Sequence, residues 1–175
     1  MLKVNDKAPA VSGISYSGPF ATYDEGYRHI AFHRYAACPV CTLSMREFTT
    51  RANDLKKAQV QHIAVFHSPL EKMKKYYPEQ PPFDIILDPG MSLYNKYDVT
   101  GSLLGYLSPQ SGLELLKSFS NGVSLGLDGD GEKTTMPADF LINPDGLIVA
   151  LNYGKFVGDS WKVDDVLSIK KQVSR

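Results

Sequence analysis

The motif Cys38-Pro39-Val40-Cys41 contains both cysteines of this 175-residue chain. Cysteines so close in sequence cannot cross-link distant segments, so we exclude a structural disulfide framework. The pair is expected either to carry out thiol chemistry or to be incidental to the fold. A chain of this length can bury roughly 70% of its unfolded surface without cross-links, and we expect residues 1–175 to form a single domain.

The motif lies between a predicted strand and a predicted helix. Residues 29–33 are apolar in their middle, which is typical of a strand buried on both faces. Beyond the motif the apolar residues follow a helical period: Cys41, Met45, Phe48, Ala52 and Leu55. This stripe predicts an amphipathic helix of about four turns that begins at the motif. Cys41 is expected to point inward, and Cys38 to lie exposed at the open helix end.

The other strands and helices are predicted from apolar runs and turn residues. Strands are expected at residues 61–66, 83–87, 138–143 and 147–152, and helices at 70–77, 92–97 and 161–173. A short hairpin is expected at residues 14–23 and a polar turn at 128–132. The alternation predicts an α/β fold, with a strand, helix, strand unit at residues 29–66.

An insertion is predicted at residues 99–133, before the strand that begins at Ala138. It contains two short helices with apolar faces, separated by residues 109–112. The residues of these faces are Leu103, Leu104, Leu107, Leu113, Leu116 and Phe119. Such faces need cover, and we expect it from the main core or from a second subunit, as in a homodimer.

The charge balance excludes several classes of partner. The chain has 19 basic and 19 acidic side chains and a pI near 6.9, so its net charge attracts neither nucleic acid nor an anionic membrane. No apolar run approaches the roughly 20 residues of a membrane-spanning helix. The first residues lack the apolar centre of a secretion signal, and we expect a cytoplasmic protein.

The position of Cys38 favours a reactive thiolate. A free cysteine has a pKa of about 8.5 and is mostly protonated at neutral pH. A helix N-terminus directs unpaired N–H groups at Cys38, which is expected to lower its pKa to about 7. Arg34, at the end of the strand, is the nearest cation in sequence. Pro39 fits the first helical position, and the two-residue spacing lets Cys41 form a disulfide with Cys38.

A zinc site is the alternative use of the two cysteines. Structural zinc requires four ligands, and the chain has one C-x-x-C pair. Histidines could complete a mixed site: His29, His33, His62 and His67. Histidines beside buried strands are more often core residues than ligands, so we favour redox chemistry.

Residues 32–41 resemble the active site of the thioredoxin-fold superfamily. Asp6-Lys7-Ala8-Pro9 is similar to the lead-in of the alkyl hydroperoxide reductase and thiol-specific antioxidant (AhpC/TSA) branch, the peroxiredoxins and their relatives. Residues 136–146 resemble the stretch in which that branch has its cis-proline and the following hairpin. Together with residues 158–159 and the Leu-rich insertion, these segments resemble peroxiredoxin-like proteins of the C-P-x-C type.

The resemblance implies a thioredoxin-like fold: a central mixed β-sheet with helices on both faces, an N-terminal extension and a helical insertion before the cis-proline strand. It implies that Pro137 is cis and that the backbone of Met136 faces Cys38, where an extended substrate strand could pair with it. The predicted substrate-binding residues are therefore Met136, Pro137 and Pro39.

The resemblance also implies a thiol–disulfide cycle. Cys38 is expected to be the attacking thiolate, Arg34 its cation and Cys41 the resolving thiol. The substrate is a peroxide or a protein disulfide, because the chain lacks the P-x-x-x-T-x-x-C signature of ordinary peroxiredoxins. No nicotinamide, flavin or metal signature accompanies the site, so electrons are expected from thioredoxin, glutaredoxin or glutathione. A thioredoxin-fold binding module with incidental cysteines is the competing interpretation.

Overall fold

A computed structural model describes residues 1–20, 26–123 and 131–174. Seven strands lie within these ranges: β1 Ile14–Ser15, β2 Gly18–Pro19, β3 Tyr27–Phe32, β4 Val60–Phe66, β5 Asp84–Leu87, β6 Ala138–Ile142 and β7 Ile148–Tyr153. Seven helices lie there too: α1 Pro39–Thr50, α2 Ala52–Lys57, α3 Leu70–Tyr76, α4 Ser92–Lys96, α5 Leu103–Tyr106, α6 Pro109–Ser120 and α7 Val163–Val173. None of these helices is long and apolar enough to cross a membrane. The strands form one mixed sheet in the order β2-β1-β5-β4-β3-β6-β7, which confirms the α/β prediction.

β3 lies inside the sheet and leads to the cysteine motif. It pairs in parallel with β4 and antiparallel with β6, which places Ile30 between Ile63 and Phe140. From His29 onward, the side chains on both faces of β3 are buried, as Ala31 at 3% and Phe32 at 1% exposure illustrate. Both faces of β3 are therefore covered, as the apolar run of residues 29–33 predicts.

The predicted helix after the motif is divided into α1 and α2, with a break at Arg51. The Thr50 hydroxyl donates to the Arg46 carbonyl at 2.9 Å, and bonds of this kind bend helices. The Arg51 side chain donates to Asp54 at 2.9 Å and to Asp164 at 2.6 Å. The prediction of one continuous helix is therefore wrong at Arg51, because side-chain hydrogen bonds hold a bend there.

Two further segments differ from their predictions. The N-terminal hairpin is tighter than expected, with Ser15 paired to Gly18, where φ of +124° suits glycine. Residues 21–23 of that hairpin and 128–130 of the polar turn lie outside the described residues. Pro109, placed by the prediction between the two insertion helices, is the first residue of α6, because that position needs no backbone N–H.

The peptide bond between Met136 and Pro137 is trans, and no peptide bond in the described ranges is cis. The prediction of a cis-proline is therefore wrong. The Met136 N–H donates to the Thr100 carbonyl at 3.1 Å, and the Pro137 carbonyl accepts from the Gly154 N–H at 2.8 Å. Both backbone groups are thus paired with the trans bond in place, which is also the lower-energy form for proline by about 0.5–1 kcal/mol.

α6 is attached to the rest of the chain by its serine residues. It packs against α1, and its buried residues are Ser111 and Ser118. The Ser111 hydroxyl donates to the Gly105 carbonyl at 2.7 Å and accepts from the Val157 N–H at 2.8 Å. The large apolar residues of the insertion are instead 36–86% exposed: Leu103, Leu104, Leu107, Leu113, Leu116 and Phe119. The main core therefore leaves the apolar faces of the insertion uncovered.

Candidate active site

The loop between β3 and α1 positions the cysteine motif. Cys38 is the N-cap residue of α1, and its N–H donates to the Tyr35 carbonyl at 3.0 Å. The Cys38 carbonyl accepts from the N–H and the hydroxyl of Thr42 at 3.0 and 3.2 Å. Pro39 is the first residue of α1, where its fixed φ fits a helix start. The local sequence therefore fixes Cys38 at the N-terminus of a helix.

Cys38 and Cys41 are free thiols in contact with each other. The backbone N–H of Cys41 donates to the Cys38 sulfur at 3.4 Å. Cys41 is 6% exposed and points inward, as predicted, but Cys38 is 0% exposed, so the expectation of an exposed Cys38 is wrong. The physical reason is tertiary packing, since Cys38 lies in a core cluster with Tyr35, Met136 and Val157.

Arg34 lies beside the Cys38 sulfur inside the protein. Its Nη1 donates to the Cys38 sulfur at 3.6 Å, and its Nη2 donates to the Lys133 carbonyl. The guanidinium carbon lies 5.1 Å from the centre of the Tyr35 ring and 5.2 Å from that of Tyr106. Arg34 is only 4% exposed. The residue chosen from sequence as the partner of Cys38 is therefore in position to stabilise its thiolate.

These surroundings lower the pKa of Cys38 to about 7. Burial alone would raise this pKa, because it disfavours the charged form. The hydrogen bond from the Cys41 thiol, the positive charge of Arg34 and the backbone N–H groups of Cys41 and Val40 outweigh that effect. A large fraction of Cys38 is consequently thiolate at neutral pH, when a thiol with an ordinary pKa is mostly protonated.

The same contacts act in the opposite direction on Cys41. Burial raises its pKa well above the ordinary value, and so do the hydrogen bond that it donates to Cys38 and the negative charge of the Cys38 thiolate. In Arg34, burial opposes the charged form, but the neighbouring thiols raise its pKa, so the guanidinium stays charged. The pair is therefore asymmetric, with an acidic Cys38 and a protonated Cys41.

The residues predicted to bind substrate occupy different surroundings. Met136 is 5% exposed and lies in the core cluster of Cys38. Pro137 is buried and faces Gly154 through its carbonyl. Because the N–H of Met136 and the carbonyl of Pro137 are both paired within the chain, neither is free to pair with a substrate strand. Pro39 adjoins Cys38, but it is buried as well.

Histidines with the potential to bind zinc do not surround the cysteines. His29 and His62 lie together, with their Nδ1 atoms 3.0 Å apart, and His29 Nε2 lies 3.2 Å from Asp139 Oδ1. His33 stacks on Phe66 at a centroid distance of 4.8 Å. Among residues 1–20, 26–123 and 131–174, no three His, Cys, Asp or Glu side chains form a group that could hold a metal ion.

Two contacts of the site are not predictable from local sequence. Tyr106 belongs to α5 of the insertion, and Lys133 is the last residue of the insertion, ahead of β6. Both reach Arg34 only because the insertion folds back over the end of β3. The run of apolar residues around Tyr106 indicates a helix, but nothing in that run distinguishes a residue that contacts the active site.

Comparison with known proteins identifies relatives of the chain. The AhpC/TSA family matches residues 4–151, whereas no curated protein matches. A yeast mitochondrial 1-Cys peroxiredoxin superposes with a TM-score of 0.74 at 19% identity, covering 99% of this chain and 77% of that chain. Peroxidoxin BcpB from Mycobacterium tuberculosis gives a TM-score of 0.71 at 15% identity and 99% coverage of each chain. The likeness confirms a thioredoxin-like fold of the peroxiredoxin type.

Proposed function

Because the chain belongs to the AhpC/TSA family, whose members are thiol-dependent oxidoreductases, we propose that it reduces peroxides through a Cys38–Cys41 dithiol–disulfide cycle. The observation that carries this proposal is the contact of 3.6 Å between Arg34 Nη1 and the Cys38 sulfur. It keeps a permanent cation beside a thiol with a pKa of about 7. The family membership does not favour a binding module with incidental cysteines.

In the first step, the Cys38 thiolate attacks one oxygen of the peroxide. A sulfur–oxygen bond forms, the oxygen–oxygen bond breaks, and the sulfur loses two electrons to give a sulfenic acid. The leaving alkoxide or hydroxide takes up a proton and departs as alcohol or water. Arg34 is the group that holds the thiolate in its reactive, charged form before this step.

In the second step, Cys41 attacks the oxidised sulfur of Cys38. A sulfur–sulfur bond forms, the sulfur–oxygen bond breaks, and hydroxide leaves with the proton of Cys41 as water. The Cys38 thiolate raises the pKa of Cys41 in the reduced state, and that negative charge is gone once Cys38 is oxidised. Oxidation therefore lowers the pKa of the resolving thiol when its thiolate is needed.

We favour a peroxide over a protein disulfide because Cys38 is completely buried. A peroxide is small, whereas a protein disulfide must bring its own backbone to the sulfur. The usual way to hold an extended substrate is to pair it with free backbone groups, and the N–H of Met136 and the carbonyl of Pro137 are already paired. Reduction of protein disulfides is the second candidate. It is supported by the C-x-x-C motif, in which the pKa of Cys38 is lowered and that of Cys41 is raised.

The Cys38–Cys41 disulfide must be reduced by another thiol. The yeast relative is described with a thiol resolving mechanism via glutathione/thioredoxin systems, and we propose that thioredoxin, glutaredoxin or glutathione supplies the two electrons here. Each of these donors exchanges thiols with disulfides. A cytoplasmic location fits this cycle, since thiols are kept reduced in that compartment.

We also propose that the chain forms a homodimer through the exposed apolar face of α5 and α6. Two copies of the same apolar face can cover each other by two-fold symmetry. Charged residues are sparse in residues 99–123, where Glu114 and Lys117 are the two present. A face of this kind therefore favours association by burial of apolar surface rather than by charge.

The test of the function is a stopped-flow comparison of two oxidants. Reduced protein is mixed with hydrogen peroxide or with an oxidised model disulfide, and free thiols are counted over time. The proposal expects loss of two thiols per chain with peroxide, at a rate that the disulfide does not match, and no loss of thiols in Cys38→Ser. A faster reaction with the disulfide would favour the second candidate, and no reaction with either oxidant would reject both.

A further inference from the structure

We propose that Tyr106 is a positioning residue for Arg34 and that α5 covers Cys38, so that a substrate reaches the sulfur only when α5 moves aside. The inference rests on the proposed function of the Cys38 site. It adds a residue outside the C-x-x-C motif that controls both the acidity of the thiol and its accessibility.

Aromatic rings and a backbone carbonyl hold the Arg34 guanidinium in place. Its guanidinium contacts two aromatic rings, Tyr35 at 5.1 Å and Tyr106 at 5.2 Å. Tyr35 is next to Arg34 in sequence, so its contact survives any movement of the insertion. In the described part of the chain, the groups that contact or charge-couple to the Arg34 guanidinium include Tyr35, Tyr106, Cys38, Cys41 and the Lys133 carbonyl. Tyr106 is the one side chain among them that α5 supplies.

The backbone of α5 packs closely against Met136, which lies near Cys38. A Cβ atom added to Gly105 would lie 2.9 Å from the sulfur of Met136 and would collide with the carbonyl of Lys155. The helix backbone therefore lies directly against Met136, which shares a core cluster with Cys38. This close approach explains why glycine precedes Tyr106, and it places α5 against Met136 and Arg34, two residues that lie beside Cys38.

Within a single chain, few apolar contacts hold α5 in this place. Leu103 is 63% exposed, Leu104 86% and Leu107 69%. The contacts that hold α5 include the close packing of Gly105, the hydrogen bond from Ser111 to its carbonyl and the contact of Tyr106 with Arg34. At the N-cap, the Ser102 N–H donates to the Thr134 carbonyl at 2.9 Å. A helix attached in this way can leave the site without disrupting the sheet, and its departure removes one ring from Arg34.

The test uses the Cys41→Ser protein, in which Cys38 is the single thiol. Ultraviolet absorbance of the thiolate is followed against pH for Tyr106→Ala and Tyr106→Phe, with Leu104→Ala as the matched control on the same helix. We expect Tyr106→Ala to raise the midpoint by about half a pH unit, which is about a threefold loss of thiolate at pH values below both midpoints. Tyr106→Phe keeps the ring and should leave the midpoint unchanged, as should Leu104→Ala.

Accessibility is measured on the same proteins at a pH well above all midpoints, where thiolate fractions are equal. We expect Tyr106→Ala to react several-fold faster with iodoacetamide than its parent. Tyr106→Leu, which fills the space without an aromatic ring, should separate the two effects by raising the midpoint with little gain in rate. An unchanged midpoint in both Tyr106→Ala and Tyr106→Leu would reject the positioning role, and an unchanged alkylation rate in Tyr106→Ala would reject the cover. Neither readout involves peroxide, so failure of the proposed peroxidase function would appear separately.

Discussion

Arg34 Nη1 and the Cys38 sulfur lie 3.6 Å apart. Arg34 follows the end of β3, and Cys38 is the N-cap residue of α1. Three loop residues separate Arg34 from Cys38 in sequence, and both groups are buried. Buried charges are stable only when they are paired. The guanidinium and the thiolate therefore depend on each other, and the site loses its electrostatic balance if either group is removed.

Replacing Arg34 should raise the pKa of Cys38. Without the guanidinium, burial acts against the thiolate with one compensating charge fewer, so we expect Arg34→Gln to shift the pKa upward by about one unit and to slow reaction with peroxide about tenfold at pH 6. The pH dependence of iodoacetamide alkylation measures the pKa. Arg46→Gln, an exposed change on α1, is the matched control. Equal pKa values in the two variants would contradict the role of Arg34.

Removing Cys41 should trap the oxidised intermediate. In Cys41→Ser no thiol is available to resolve the sulfenic acid of Cys38, so one equivalent of peroxide should leave a sulfenic acid that dimedone labels at Cys38. Mass spectrometry of the labelled peptide gives the position. Retention of peroxide reactivity in Cys38→Ser, with label on Cys41, would reverse the assignment of the two thiols.

The buried histidines should make the fold sensitive to acid. Burial, followed by the charges of His29 and Lys162, lowers the pKa of His33 to about 3. Burial, followed by His29 and His33, lowers that of His62 well below its ordinary value. The unfolded chain binds protons at these residues near pH 6.5, whereas the folded chain does not. Their contribution to stability is therefore complete above pH 6.5 and falls by about 1.4 kcal/mol per pH unit for each histidine below it.

Urea unfolding between pH 7.5 and 5 measures this acid sensitivity. His33→Phe removes one of the two groups and keeps the stacking on Phe66, so its free energy of unfolding should fall less steeply with acidification than that of the parent. The free energies of unfolding of the parent and the variant at pH 7.5 are the reference values. Parallel pH profiles from pH 6.5 to 5 would show that His33 does not contribute.

The apolar face of the insertion should control association. We expect Leu116→Glu, at a position 64% exposed, to convert a dimer into a folded monomer, because the side chain has no role in the core of the chain. Sedimentation velocity measures the mass in solution. Gln110→Glu adds the same charge at another exposed position of α6 and should leave the dimer intact. A monomeric parent protein at high concentration would reject the homodimer.

The sequence predicts well those features that depend on neighbouring residues. The apolar run of β3, the start of α1 at Pro39 and the inward position of Cys41 all follow from local period and turn chemistry. The burial of Cys38 and the trans bond at Pro137 do not follow, because they depend on tertiary contacts. Cys38 packs with Met136 and Val157, and the backbone of Met136 and Pro137 pairs with Thr100 and Gly154. The contact of Tyr106 with Arg34 joins residues far apart in sequence, and a single sequence carries no signal for such a pair.

The single hydroxyl group of Ser111 joins α5, α6 and the segment before α7. Hydrogen bonds of Ser111 thus attach the insertion to the rest of the chain. The cysteine motif lies instead in the core, after the end of β3. Substitutions at positions 99–123 other than Tyr106 can accumulate without altering the chemistry of the thiols. At those positions selection can adjust what approaches the site independently of the thiol chemistry, and they are the place for exchanges when a new substrate range is engineered.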